Sequence, residues 1–237
     1  MSLFSLFGRK RPKTPTSASD NRFLYAVDMA LRSETTKYLV LGDGSHGEAG
    51  LKSLAAAVKA GKLRPLHKYG VKTVLFEGAR RGRESTASYG SFRKAIKLLS
   101  KKGVRVLGCE DDRSLSTETD AREIYDNPAK YGNTLMATLD VLLDRRMPDA
   151  NESWYDQAVA APAKVIICCG TSHLPNFVHQ QHGHIGLIKR LSQRGGCLGY
   201  ALESSNTGNP YTYVPEDKTN VFGVVEAIGA YAGWREL

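Results

Sequence analysis

Asp43, His46 and Glu48 stand together directly after the apolar run Tyr38-Leu39-Val40-Leu41. A carboxylate, an imidazole and a second carboxylate so close can pass protons, hold a cation or bind a polar substrate. Three further apolar runs end in similar chemistry. Thr73 to Phe76 leads into Glu77 and then Arg80, Arg81 and Arg83. Val104 to Leu107 leads into Glu110, Asp111 and Asp112, and Val165 to Cys169 into Gly170-Thr171-Ser172-His173-Leu174-Pro175. Carboxylates mixed with imidazoles suit Mn²⁺, Fe²⁺ or Zn²⁺, which would activate a water for attack. Without a metal, a Glu–His pair can itself deprotonate water while arginines stabilise the developing oxyanion.

The first of these loops, Gly42-Asp43-Gly44-Ser45-His46-Gly47-Glu48, also matches the phosphate-cradling pattern G-x-G-x-x-G. Dinucleotide binding is therefore a competing reading, with Glu77 where a ribose-binding acid would sit. Against it, Asp43 would stand beside a pyrophosphate, and His46 and His173 would be left without a role. Other polar groups have plainer uses. Asp112 and Ser172 fall where helix starts are capped, worth ~1 kcal/mol each. His179, His182 and His184 read as surface or helix-packing histidines. Cys168 and Cys169 belong to a buried strand rather than to a catalytic thiol.

The elements that must carry these residues follow from the hydrophobic pattern. Each of the four runs is bounded by turn residues and rich in β-branched or aromatic side chains, as in strands buried on both faces. Leu51, Leu54, Ala55 and Val58 repeat at helical spacing between the first two runs, and Phe92, Ile96 and Leu99 between the second and third. Units of about 30 residues match βαβ crossovers. A longer helical insertion around 117–146 is punctuated by Pro128 and Pro148, and a helix over 176–193 is expected after the fourth run. The tail suggests strands at 198–202 and 211–214 and a short helix over 221–231. The expectation is an α/β fold with a mostly parallel central sheet flanked by helices. In parallel sheets ligands bind at the carboxyl ends of the strands, where all four polar groups fall.

With 237 residues, 41% of them apolar, the chain can fill the core of one large domain, here 21–237. No apolar run approaches the ~18 residues of a membrane-spanning helix, so no transmembrane segment is expected. Cys109, Cys168, Cys169 and Cys197 lack the spacing of paired metal ligands and favour a reducing compartment. The net charge of +9 includes Arg93, Lys94, Lys97, Lys101, Lys102 and Arg105. Few aromatics accompany them, so a solvated face is expected and no nucleic acid partner. Residues 1–20 carry Arg9, Lys10, Arg11 and Lys13 amid serine, threonine and proline, a composition that argues for a disordered leader.

Leu39-Val40-Leu41-Gly42-Asp43-Gly44-Ser45-His46-Gly47 followed by a strand ending in Glu77 resembles the opening of the erythromycin esterase, ChaN and TIKI-like superfamily. Val106-Leu107-Gly108-Cys109-Glu110-Asp111 resembles its third element and Gly170-Thr171-Ser172-His173 its later Gly-x-x-His element. The resemblance spans roughly residues 36 to 205. It implies a cleft in which His46, Glu77 and His173 are catalytic or metal-binding, assisted by Asp43 and by an acid at Glu110 or Asp111. Of these two acids, Asp111 is taken as the catalytic candidate. Glu48, Arg80, Arg81 and Ser172 are candidates for contacting substrate. Ester hydrolysis, metal-dependent peptide cleavage and haem binding all occur on such scaffolds, so a divalent transition metal is a possible cofactor. Asp43 stands where the family has a longer glutamate, and the large helical additions of the esterases are absent. With its leader, the chain resembles a compact type III secreted effector of plant-pathogenic bacteria, of the Hop class. That implies a hydrolase acting on a host protein in the plant cytoplasm; the alternative is a non-enzymatic module recognised by a host protein.

Overall fold

A computed structural model describes residues 18–43, 47–80, 92–132, 137–138, 141–174, 177–179 and 182–201. The apolar runs form a five-stranded sheet of β1 (Thr36–Asp43), β2 (Val71–Arg80), β3 (Arg105–Glu110), β4 (Lys164–Gly170) and β7 (Gly196–Ala201). Its order is β3-β2-β4-β1-β7, and every pairing is parallel. The expected α/β fold with a parallel sheet is what the chain adopts.

Strand side chains alternate between two apolar layers, as the two-residue period of a strand requires. Leu39, Leu41, Ile166 and Cys168 enter one layer; Tyr38, Val40, Val165, Ile167 and Cys169 enter the other. The first layer is covered by α1 (Ala18–Arg32), α2 (Glu48–Lys59) and α3 (Arg93–Lys101), through Val27, Leu51, Leu54 and Leu99. The second is covered by α6 (Met147–Ala160) and α7 (Leu187–Ser192), through Ala150, Trp154, Leu187 and Leu191. Burying each such large side chain stabilises the fold by about 1.5–3 kcal/mol. Between β3 and α6 run α4 (Asp112–Asp126), α5 (Pro128–Tyr131) and a π turn, Leu142–Arg146. The Met147 amide reaches back to the Leu142 carbonyl, and Pro148 has no amide to offer. That widened turn places Arg145 outside, against Asp120, and Arg146 inside.

Three expectations are corrected. The helix anticipated over 176–193 is instead an antiparallel hairpin, β5 (Phe177–His179) and β6 (His182–His184), followed by the short α7. Phe177 and Val178 favour strand, and Gly183 and Gly186 weaken any helix through them. His179 is consequently the register partner of His182 rather than its neighbour along a helix. α1 was not anticipated, although Phe23, Val27, Ala30 and Leu31 carry its helical spacing; it begins at Ala18, inside the span given to the leader. The cap of α4 is Asp111, one residue before the expected Asp112, because β3 runs on to Glu110. Residues 1–17 and the tail elements expected over 211–214 and 221–231 lie outside the described residues.

Candidate active site

The crossover from β1 passes over one layer and that from β4 over the other, yet β1 and β4 are neighbours. The carboxyl ends of β1 and β4 are therefore the topological switch point of the sheet, the position at which open α/β sheets bind ligands. Asp43 and Gly170 are register partners there.

Asp43 is 1% exposed and turns back onto its own chain. Its Oδ1 accepts the Gly47 amide (3.1 Å) and its Oδ2 the Gly50 amide (2.8 Å), clamping the start of α2. Gly47 makes this turn possible: its φ is +85°, and a Cβ there would lie 2.4 Å from the Cys168 carbonyl. Glu48 sits in the first turn of α2, paired with Lys52 and favourably placed toward the helix's positive end.

Glu77, at 4% exposure, joins β2 to β4. Its Oε2 accepts the Gly170 amide (2.5 Å), which leaves Oε1 3.6 Å from His173 Nε2 and 3.9 Å from Arg146 Nη2. His173 lies in the 3-10 turn that follows β4 and is 3% exposed. Its Nδ1 is 2.8 Å from Asn151 Oδ1, while Asn151 Nδ2 donates to the Ile185 carbonyl (3.0 Å). With Nδ2 placed on the Ile185 carbonyl, it is Oδ1 that faces His173, and an amide oxygen can only accept. Nδ1 of His173 therefore carries the hydrogen and Nε2 faces Glu77. The Trp154 ring, 4.3 Å away between centroids, holds the imidazole plane.

At the end of β3 the two acids differ. Glu110, 4% exposed, contacts Arg146 Nη2 through Oε1 (2.5 Å) and accepts the Ser114 hydroxyl through Oε2 (2.5 Å). Burial pushes its carboxyl up to about 7, against the pull of Arg146 and Ser114 and with the help of nearby Glu77. Asp111 accepts the Ser114 amide (2.9 Å) as the cap of α4. Burial raises its carboxyl, but the Ser114 amide, the Ser153 and Ser114 hydroxyls and Arg113 outweigh it, and the net shift is downward.

Glu77 and His173 are thus brought together, Asp43 is directed to the α2 start, and Asp111 to a cap. His46 and Arg81 lie outside the described residues. So do the side chains of Arg80, the register partner of Glu110, and Ser172, in the turn before His173. Arg146, Asn151 and Ser114 carry much of the site and were not legible as such; all three come from the insertion between β3 and β4, which has no motif. Cys168 and Cys169 are fully buried, and burial raises both thiols, so they serve packing. Among the described residues no group of three or more His, Cys, Asp or Glu could hold a metal ion. Glu77 and His173 offer two donors, and the guanidinium of Arg146 already supplies positive charge beside them. The described residues do not by themselves fit the metal that the family resemblance implies.

Fold and site together define an α/β protein with a parallel sheet and a buried Glu–His–Asn chain, flanked by a Glu–Arg pair, at its carboxyl edge. No protein-family model matches the chain, and no curated protein does. Among solved structures the chain is similar to ChaN of Campylobacter jejuni, described as binding heme cofacially. The identity is 11%, over 81% of this chain and 88% of that one, with a TM-score of 0.45.

Proposed function

We propose that the protein is a hydrolase in which Glu77 and His173 activate water and Arg146 stabilises the charge that develops. The observation that carries this reading is the contact between Glu77 Oε1 and His173 Nε2 at the switch point of the sheet, with Asn151 fixing which nitrogen faces the carboxylate. With Nδ1 carrying its hydrogen, Nε2 presents a lone pair beside the Glu77 carboxylate. That arrangement lets the pair take a proton from water and return it to a leaving group. The guanidinium is a fixed cation in a dry setting, where it acts at full strength on an oxyanion. Glu110, sharing that guanidinium, sets how much of its charge is left for the reaction. No metal enters this scheme.

Two further observations support the cleft reading over dinucleotide binding. The Gly47 and Gly50 amides at the start of α2, which a phosphate would use, are taken by the Asp43 carboxylate. His173 also gains a definite place. The composition of residues 1–20 supports the second half of the proposal, that the chain is a type III secreted effector acting on a host protein in the plant cytoplasm.

Hydrolysis of p-nitrophenyl esters of graded acyl size tests the first half. Glu77→Gln keeps an acceptor for Gly170, and His173→Gln keeps a polar group toward Asn151. Each should lower kcat/KM by roughly 10²–10⁴ with little change in melting temperature. Rates in both variants within twofold of the parent protein, on every ester that is turned over, would sink the reading. Absence of turnover in the parent as well would favour the non-enzymatic module.

A further inference from the structure

The edge of the sheet opposite the cleft carries a concentration of charge that the proposed reaction does not use. Residues 49–76 contain six lysines and arginines, as do residues 92–109, and neither stretch contains an acid. The fold brings the later part of the first stretch and the end of α3 together. α2 and α3 follow parallel strands in successive crossovers on one layer, so both helices end at the amino-terminal edge, where β2 and β3 begin. The 3-10 turn Leu66–Tyr69 joins these ends, since His67 Nδ1 lies 3.0 Å from the Lys102 carbonyl. Lys62, Arg64, Lys68, Lys72, Lys101 and Lys102 are all exposed there. Asp28 of α1, which packs against this turn, is engaged by Tyr69 Oη (2.5 Å) and Arg32 (2.6 Å). Complementing the negative ends of α2 and α3 accounts for Lys59 and Lys101 in their last turns, not for the remainder.

The chemistry of this rim selects among polyanions. Lysines predominate, and an ammonium is a compact hydrated charge without the bidentate fork that reads individual phosphates. Tyr69 and Phe76 are buried and Phe92 packs against the core, so none of the three aromatics of these stretches is placed to stack on a base. Helix carboxyl ends direct carbonyls outward, so the edge offers no amide cradle for a single phosphate. What remains is diffuse attraction by mobile side chains, which suits a surface of laterally mobile negative headgroups.

We propose that the basic rim at the amino-terminal edge of the sheet docks on an anionic lipid bilayer, holding the Glu77–His173 cleft on the far side. The strands between the two edges span roughly 25 Å, so a docked molecule would present the cleft to the aqueous phase.

Flotation of the full chain with vesicles tests this. Binding is expected to phosphatidylcholine vesicles carrying about 30% phosphatidylserine, with little to phosphatidylcholine alone, and should weaken as salt rises above about 0.1 M. The triple variant Lys62→Glu/Lys68→Glu/Lys101→Glu should lose on the order of 100-fold or more in partitioning. The single variants Lys62→Glu and Lys101→Glu should each lose several-fold, and they decide the matter if the triple variant does not fold. Three results would each overturn the proposal: equal binding to both kinds of vesicle, no binding to either, or binding that the lysine variants leave unchanged. A DNA or RNA duplex that strips the protein from the vesicles at about 0.15 M salt would assign the rim to nucleic acid instead.

Discussion

Glu110 and Asp111 are neighbours in the chain with opposite surroundings. β3 carries Glu110 inward to Arg146, and the turn after it leaves Asp111 to cap α4. The sign of the resulting pH dependence follows for Glu110. Its carboxyl stands at about 7 in the folded protein against an ordinary 4.5, so between those values the folded state holds a proton that the unfolded chain has released. Its contribution to stability is therefore greatest at and below 4.5 and is lost as pH rises through 7. Glu110→Gln should flatten this slope by an amount on the order of 2–3 kcal/mol across that window, read from urea midpoints at several pH values. An unaltered slope in the variant would mean that Glu110 is ionised throughout. Taking Asp111 as the catalytic candidate rested on no local signal, because both are acids at a strand end and only the point where β3 stops decides which turns inward, here Glu110.

At the scale of elements, the start of α2 shows how a local motif is spent. Asp43 looked suited to chemistry, but its carboxylate stands where the first turn of α2 presents amides, and it answers two of them. Asp43→Ala would leave the Gly47 and Gly50 amides buried without that acceptor, at about 1–3 kcal/mol for each. A fall of roughly 2–4 kcal/mol in unfolding free energy, with an unchanged m-value, is expected in urea titrations. A loss below about 0.5 kcal/mol together with abolished hydrolysis would return Asp43 to the catalytic group. The π turn before α6 shows the opposite case. Pro148 marks an irregularity that is visible in sequence, but the direction it gives Arg146 depends on Glu110 standing across the gap.

For the whole molecule, the parallel sheet separates two tasks. Every strand of the five-stranded sheet points the same way, so groups after those strands gather at one edge and groups before them at the other. The cleft occupies the first edge and the basic rim the second. The proposed role of residues 1–20 in delivery belongs to this scale also. A reporter fused to residues 1–20 should enter plant cells only from bacteria with an intact type III secretion apparatus. Equal entry from a secretion-deficient strain, or none from either, would remove the effector half of the proposed function.

The sequence by itself determined the sheet strands and the crossovers over α2 and α3, because strands buried on both faces must be continuously apolar and crossover helices must be amphipathic. It also determined that Glu77 and His173 come to one edge, since parallel strands leave no other place for residues that follow them. Only the tertiary structure decided which partners they meet. Asn151 and Arg146 reach the cleft across 22 and 69 residues, from His173 and Glu77, and Ser114 across a turn, through packing that no local period encodes. Likewise the 176–193 segment has enough apolar residues for a helix, and it is the pairing of β5 with β6 that makes it a hairpin. Local periodicity records what a segment buries, whereas contacts between distant segments depend on how whole layers pack.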